Sequence, residues 1–166
     1  MTETVRLGTV GTGAVGSIMS RSVDSKEGVE VVGVTDVDET NRTETAEDLF
    51  LPADRRFEAH ETTLEALDLD GVIVATPHAM HYEQVVAALD RGVDVMYEKP
   101  LYVDLDHARD LVRRAESATA NLMIGYQRHV SRPFLHARDN MAEHVGDPQF
   151  VTAQITQNWL ENQRGT

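Results

Sequence analysis

Short apolar runs alternate along this chain with longer segments in which apolar residues recur every three or four positions. Most runs are rich in β-branched residues and have no polar interruption, as in strands buried on both faces. The longer segments have the period of amphipathic helices. The pattern predicts strands at 5–9, 30–35, 55–58, 71–75, 93–97 and 122–125. It predicts helices with apolar stripes at Val15, Ile18, Met19 and Val23; Tyr82, Val85, Val86 and Leu89; and Leu105, Ala108, Leu111, Val112 and Ala115.

Two further helices complete the alternation of strands and helices. The acidic segment 38–51 is predicted to be helical, and Thr62 or Thr63 is placed to begin a brief helix carrying Leu64 and Leu67. Asp104 is placed to cap the helix that follows it. Strands alternating with helices of this length predict an α/β fold with a doubly wound parallel sheet.

The residues after the sixth strand have a different pattern. A helix is predicted over 131–145, followed by a turn at 146–148 and a half-buried strand over 151–159. The side chains expected to face inward from this helix are Phe134, Leu135, Met141 and Ala142. A single strand cannot form a sheet with an apolar face. The sequence therefore predicts a nucleotide-binding domain over 1–125 and the start of a truncated second α/β domain over 126–166.

Three glycines follow the first strand and open the first helix, in the order G-x-G-x-x-G at Gly11, Gly13 and Gly16. In this context the first glycine permits a tight turn and the second lets a diphosphate approach the backbone. The third lets the helix pack closely on the strand. The helix N-terminus offers free N–H groups to phosphates. Glycines can also merely mark a turn, so a second signal is needed.

That second signal is Asp36, which ends the second strand twenty residues after Gly16. A dinucleotide-binding fold places there the carboxylate that holds the ribose hydroxyls. The alternative is a helix cap or turn residue. A carboxylate repels a 2′-phosphate and so favours NAD over NADP, although Arg42 is close enough in sequence to leave NADP open.

Charge and composition limit the partners and cellular locations that the sequence predicts. The chain has 166 residues, 28 acidic and 15 basic, with a net charge of −13, no cysteine and only two lysines, Lys26 and Lys99. Such a surface repels nucleic acid and anionic membranes, so neither is predicted as a partner. No apolar run is long enough to span a bilayer, and a cytoplasmic location is predicted. The acidity fits either an ordinary acidic protein or, as we favour, one adapted to a salt-rich cytoplasm.

Five motifs, in this order, resemble the glucose–fructose oxidoreductase and inositol dehydrogenase family of NAD(P)-dependent sugar and cyclitol oxidoreductases. They are the glycine loop 11–16, Asp36, the T-P-H-A-M-H segment 76–81, the E-K-P segment 98–100 and the G-Y-Q-R-H segment 125–129. The resemblance implies an N-terminal Rossmann domain, a second domain that carries a mainly antiparallel sheet, and a homo-oligomer. An exposed apolar face over 151–159 would also favour self-association.

The resemblance assigns roles residue by residue. It implies that Lys99 is catalytic, touching the substrate hydroxyl beside the nicotinamide, and that the Lys99–Pro100 peptide is cis. The alternative for Lys99 is a surface ion pair with Glu98, and Arg128 is equally compatible with a structural ion pair. His78 and His81 lack the further ligands of a metal site, so no metal is predicted. The predicted cofactor-binding residues are Gly11, Thr12, Gly13, Ala14, Val15, Gly16, Asp36, Thr76, Pro77, His78, His81, Glu98, Lys99, Gln127 and Arg128.

One departure from the family pattern affects the predicted activity. The family's acid–base pair, a D-x-x-x-H motif in the second domain, does not occur after residue 160. Without that base the chain is expected to bind NAD but to oxidise a sugar or cyclitol CH–OH group weakly or not at all. The alternative is a stand-alone NAD-binding module, either a sensor or a subunit, without turnover.

Overall fold

The structure is a computed structural model that describes residues 4–147, 149–152 and 154. The chain divides into two compact units, Met1–Tyr126 and Gln127–Thr166. The first contains a six-stranded sheet in the order β3-β2-β1-β4-β5-β6, and every adjacent pair of strands is parallel. The strands are β1 (Val5–Val10), β2 (Val29–Thr35), β3 (Arg56–Phe57), β4 (Gly71–Val74), β5 (Asp94–Tyr97) and β6 (Leu122–Ile124). This is the doubly wound architecture predicted from the sequence.

Helices connect successive strands of the sheet. They are α1 (Ala14–Asp24), α2 (Glu39–Asp48), α3 (His60–Ala66), α4 (His81–Leu89) and α5 (Leu105–Ser117), with short 3-10 turns at Ala53–Arg55 and His78–Met80. Within the described residues, no helix has both the length and the apolar character needed to cross a membrane. The central strands are buried because helices cover them, which explains their nearly continuous apolar sequences.

The core forms two clusters. The larger joins β4 and β5 to α4 and α5, with Val74, Val85, Tyr97 and Leu111 all fully buried. The smaller one surrounds Val34 on β2 and includes residues of α2. As expected from the sequence, α5 begins at Asp104, whose Oδ1 accepts hydrogen bonds from the backbone N–H groups of Asp106 (3.0 Å) and His107 (2.9 Å).

The buried face of α1 differs from the prediction. Val15 and Ile18 were expected to face inward, but they are 50% and 61% exposed, and the buried residues of α1 are Gly16 and Ser20. Ser20 Oγ donates to the Gly16 carbonyl (2.7 Å) and bonds Thr9 Oγ1 on β1 (2.9 Å). The helix lies so close to the sheet at Gly16 that only small side chains fit between them, so Val15 and Ile18 face outward. Met19 and Val23 are half-buried, and Val23 packs against the smaller core cluster.

The stripes of α4 and α5 also differ in part from the prediction. On α5, Leu105 and Val112 are 63% and 45% exposed, whereas Ala108 and Leu111 are buried as expected. On α4, the buried face includes two polar residues, His81 and Gln84, which the apolar pattern did not select. The helix α3 begins at His60 with Ala59 as its N-cap, and Thr63 is buried within it instead of capping it.

The second unit, taken by itself, contains a 3-10 turn at Gln127–Val130 and α6 (Arg132–His144). Phe134 and Met141 of α6 were expected to face inward but are 47% and 37% exposed within this unit. The predicted strand over 151–159 lies mostly outside the described residues. Residues 151, 152 and 154 are described and are not in a strand.

Candidate functional site

A cavity of about 460 Å³ opens where β1, β2 and β4 end at their carboxyl edges. Crevices beyond the carboxyl ends of parallel strands are where doubly wound folds bind their ligands. The cavity contains glycine-loop residues, the residues that follow β2 and β4, and side chains from α3 and α4. Its lining comprises Val10, Gly11, Gly13, Ala14, Val15, Thr35, Asp36, Val37, Asn41, Glu58, His60, Ala75, Thr76, Pro77, Met80 and Gln84.

The three glycines of the loop differ in what surrounds them. Gly11 has φ of +88°, and a Cβ there would lie 2.7 Å from the backbone of Ala75 and Thr76. A Cβ on Gly16 would lie 1.8 Å from the Gly11 carbonyl oxygen. A Cβ on Gly13, in contrast, would meet nothing within 4 Å. Gly11 and Gly16 are therefore required by the fold itself, while Gly13 leaves the space in front of the loop open.

The head of α1 faces this open space. The first intrahelical hydrogen bond runs from Ser17 N to the Gly13 carbonyl (2.9 Å). The preceding N–H groups of the helix have no intrahelical acceptor and give the helix end a partial positive charge. Because Gly13, Ala14 and Val15 line the cavity, this helix end is placed to receive an anion.

Asp36 is bound to the glycine loop. Its Oδ2 accepts hydrogen bonds from the backbone N–H of Thr12 (2.6 Å) and from the Thr12 hydroxyl (3.2 Å). Its Oδ1 accepts from the backbone N–H of Asp38 (2.9 Å). Arg42 donates to the backbone carbonyl of Asp36 and does not contact its carboxylate. The carboxylate therefore lies at the cavity wall in a fixed orientation. Oδ2 accepts two hydrogen bonds, whereas Oδ1 accepts one and keeps a lone pair for a further donor.

The segment after β4 is fixed by two buried side chains of α4. The Thr76 hydroxyl donates to Gln84 Oε1 (2.5 Å), and His81 Nε2 lies 2.8 Å from the Thr76 carbonyl oxygen. Burial lowers the pKa of His81, an effect to which His78 adds and which hydrogen bonding to backbone carbonyls opposes. His81 is therefore a neutral imidazole near pH 7.

The E-K-P segment follows β5. Lys99 Nζ lies 3.0 Å from Glu98 Oε2, and the side chains of Lys99 and Glu98 are 55% and 14% exposed. A Cβ on Gly125 would lie 3.0 Å from Glu98 Oε1, so the absence of a side chain at Gly125 leaves room for this carboxylate. The Lys99–Pro100 peptide is cis, as the resemblance implied.

The cavity brings some of the predicted site residues together but not all of them. Seven line it: Gly11, Gly13, Ala14, Val15, Asp36, Thr76 and Pro77. Thr12, Gly16 and His81 are buried and do not line the cavity. His78, Glu98 and Lys99 follow β4 and β5 without lining the cavity, while Gln127 and Arg128 belong to the second unit.

Sequence reasoning missed five polar residues of the cavity: Thr35, Asn41, Glu58, His60 and Gln84. The side chain of His60 is only 15% exposed. Gln84 is 4% exposed and was not selected at all. A signal for Gln84 was present, since it shares a helical face with His81, Val85 and Ala88. A polar residue on an otherwise apolar face indicates a buried hydrogen bond.

Residues 5–126 match the model of the Gfo/Idh/MocA oxidoreductase family, which is described as having an NAD-binding Rossmann fold. The chain belongs to this family. The match ends at Tyr126, where the first compact unit also ends. The family binds NAD, and the residues present fit that cofactor: the loop is open at Gly13, a helix N-terminus faces the opening, and a carboxylate lies at the end of β2.

Several named proteins are similar in sequence or structure to most of this chain. The rhizopine catabolism protein MocA of Rhizobium meliloti is 31% identical over 136 residues, covering 82% of this chain and 42% of that protein. An inositol 2-dehydrogenase of Paracoccus denitrificans is 28% identical, covering 95% and 48%. A myo-inositol dehydrogenase structure from Lactobacillus casei, in complex with NAD(H) and myo-inositol, is 26% identical with a TM-score of 0.78, covering 86% and 42%. The chain thus spans less than half the length of these relatives.

Proposed function

We propose that this chain is the NAD-binding part of an oxidoreductase that acts on the CH–OH group of a sugar or cyclitol. The observation that carries the proposal is the arrangement of the glycine loop. A Cβ on Gly11 or Gly16 would overlap backbone atoms, whereas the space beside Gly13 is open and lies before the N-terminus of α1. The Asp36 carboxylate lies at the same cavity. The relatives named as inositol dehydrogenases support the substrate class.

Each part of the cofactor has a proposed partner. The N–H groups at the head of α1 hold the diphosphate, with Gly13 permitting the close approach. The free lone pair of Asp36 Oδ1 accepts a hydrogen bond from a ribose hydroxyl, and the charge of the carboxylate disfavours the 2′-phosphate of NADP. The turn at Thr76–Pro77 bounds the cavity on the far side.

Lys99 is the proposed catalytic residue. The nicotinamide ring of a bound NAD supplies the acceptor for a hydride. Lys99 Nζ contacts the substrate hydroxyl and assists in moving its proton, and Glu98 holds the ammonium group in place through their 3.0 Å ion pair.

Turnover by these 166 residues is expected to be weak, because Lys99 is their one proposed proton-transfer group. The proposal further includes self-association, as in a homo-oligomer, a cytoplasmic location and no nucleic-acid partner. NADH binding without detectable sugar or cyclitol oxidation would fit this expectation as well as the alternative of a binding module. Adding the remainder of a longer gene product, where one is encoded, separates the two.

The decisive experiment is a titration of the chain with NADH, followed by nucleotide fluorescence, and repeated with NADPH. We expect NADH to bind more tightly than NADPH. Asp36→Ala should weaken NADH binding at least tenfold, since a hydrogen bond to a charged group is worth about 1.5–3 kcal/mol. The matched control is Asp68→Ala, whose side chain is 96% exposed at the opposite end of β4. Weak binding that is the same in all three proteins would contradict the proposal.

A further inference from the structure

One side chain connects the segment after β4 to the end of β5. His81 Nε2 lies 2.8 Å from the backbone carbonyl oxygen of Thr76. The face of the same ring receives Tyr97 edge-on, with the ring centroids 5.5 Å apart and an interplanar angle of 85°. Thr76 lines the cavity, and Tyr97 immediately precedes Glu98 and Lys99. A single imidazole thus contacts the cavity wall and the strand that carries the proposed catalytic lysine.

His81 makes both contacts from the interior of the protein. The residue is fully buried, so its ring presents no surface to a ligand in the cavity. Tyr97 is equally buried, and its hydroxyl donates to the Leu101 carbonyl (3.0 Å), which orients the ring that His81 contacts. Any effect of His81 on a bound cofactor therefore passes through the groups that its ring contacts, which include Thr76, His78 and Tyr97.

The hydrogen bond to Thr76 fixes the position of one proton on the ring. A carbonyl oxygen only accepts, so Nε2 must carry the proton that it donates to Thr76. In a neutral imidazole, Nδ1 is then an acceptor. It is buried with no hydrogen bond of normal geometry among the described residues, although the Pro100 backbone lies close enough to raise the pKa of His81. Burial also lowers the pKa of His81, so the neutral form persists at pH values where an exposed histidine would begin to charge.

We propose that neutral His81 is a positioning residue for the NAD site, holding the Thr76–Pro77 turn against the end of β5 through its Nε2–H. This inference rests on the proposed NAD site and deepens it. Loss of the donor leaves the Thr76 carbonyl without its partner and releases the turn that forms one wall of the cavity. The consequence is weaker cofactor binding without removal of any atom that touches the cofactor.

Acid should weaken the site by a different route. A charged ring keeps its Nε2–H, but burial makes the charge unfavourable, so protonation favours states in which this segment opens to water. The titratable groups that face His81 are His78 on its own segment and Glu98 and Tyr97 at the end of β5. Glu98 favours the charged imidazole and His78 opposes it, while burial raises the pKa of Tyr97, which stays neutral throughout. Because the pKa of His81 is lowered, the effect on binding develops below about pH 6.5, the ordinary histidine value.

Three variants of the full chain test the proposal. His81→Phe keeps a ring against Tyr97 but removes the donor, and His81→Gln keeps a donor but removes the ring. His107→Phe is the matched control, because His107 stacks on Tyr82 of α4 (4.1 Å between centroids) and has no bond to Thr76. Circular dichroism confirms that each variant is folded, and NADH titrations at pH 5.5–8 measure binding.

We expect His81→Phe to weaken NADH binding about tenfold at pH 7, the usual effect of one lost buried hydrogen bond. His81→Gln should restore most of the affinity, and His107→Phe should match the wild type. The additional loss of affinity below pH 6.5 should be absent in His81→Gln. Equal affinity and an equal pH profile in wild type and His81→Phe would overturn the proposal.

A cofactor-independent measurement separates this proposal from the proposed function. In protein labelled with ¹⁵N at histidine, the His81 ring should have a protonated Nε2 and an unprotonated Nδ1 at pH 7. The ¹³C chemical shift of the Thr76 carbonyl should change in His81→Phe and remain unchanged in His107→Phe. If the wild type fails to bind NADH but these signals behave as expected, the NAD site is wrong while the positioning contact stands. An unprotonated Nε2 at pH 7, or an unmoved Thr76 signal, would refute the contact itself.

Discussion

The backbone N–H of Thr12 donates a 2.6 Å hydrogen bond to the carboxylate of Asp36, across 24 positions of sequence. The Thr12 hydroxyl donates to the same oxygen at 3.2 Å. The acid that follows β2 therefore holds the glycine loop that follows β1. A residue predicted for ribose recognition also maintains the shape of the loop proposed to bind the diphosphate, so the two functions cannot be removed independently by deleting Asp36.

The first prediction separates these two roles of Asp36. Asp36→Ala should lower the free energy of unfolding by about 1–3 kcal/mol, because the Thr12 N–H loses a charged acceptor. Asp36→Asn keeps an acceptor and should restore most of that stability while still weakening NADH relative to the wild type. Urea denaturation and NADH titration measure the two effects. Equal stability of Asp36→Ala and the wild type would mean that the Thr12 contact contributes nothing to the fold.

The second prediction contrasts Gly11 with Gly13. Gly11→Ala should destabilise the chain by about 3 kcal/mol or more, because alanine is strained at φ of +88° and its Cβ would overlap backbone atoms. Gly13→Ala should change stability by less than about 1 kcal/mol, since its Cβ meets nothing within 4 Å. It should nevertheless weaken NADH binding, because the added methyl group enters the space proposed for the diphosphate. Unchanged NADH binding by Gly13→Ala would place the diphosphate elsewhere.

The third prediction concerns Phe50, which follows α2 with φ of 56° and is 94% exposed. Helices commonly end in this left-handed conformation with glycine, which adopts it without strain. Phe50→Gly should therefore stabilise the chain by about 1 kcal/mol, and little packing is lost. Phe50→Ala keeps the strain and serves as the control. A melting temperature that is no higher for the glycine variant than for the alanine variant would contradict this account.

The fourth prediction concerns acid and the start of α5. Hydrogen bonds from the backbone N–H groups of His107 and Asp106 lower the pKa of Asp104. A carboxyl group with a lowered pKa stabilises the fold above the unfolded-state value of about 3.9 and loses that contribution as pH falls through the folded value. Asp104→Asn caps the helix without titrating, so its unfolding midpoint should depend less on pH below 4. Parallel pH profiles for the two proteins would show that Asp104 is not responsible.

The fifth prediction tests adaptation to salt. A net charge of −13 on 166 residues makes the folded chain repel itself, and ions screen this repulsion over a Debye length that shrinks from about 10 Å at 0.1 M to about 3 Å at 1 M. The melting temperature should therefore rise with added KCl. Sucrose at matched osmolality is the control, since it stabilises without screening. A melting temperature that KCl leaves unchanged would argue against a salt-rich setting.

Much of the proposed nucleotide site could be predicted from the sequence, because it depends on local backbone conformation. The positive φ of Gly11, the turn into α1 and the acid after β2 all follow from residue type and spacing. The hydrogen-bond partners of Thr12, His81 and Gln84 could not be predicted from the sequence. These partners lie 24, 5 and 8 positions away, and the pattern of apolar and polar residues does not identify them.

By itself, the sequence determined the order of strands and helices, the glycine loop, the cap of α5 at Asp104 and the resemblance to an NAD-binding family. Those features arise from periodicity and from conformations that few residue types can adopt. The tertiary structure alone decided how much of each predicted apolar face is buried. On α1 the close approach to the sheet at Gly16 admits only small side chains, so Ser20 faces inward and Ile18 faces outward against the apolar pattern. Distances between helices and strands are set by the whole packing arrangement, and no local stretch of sequence contains that information.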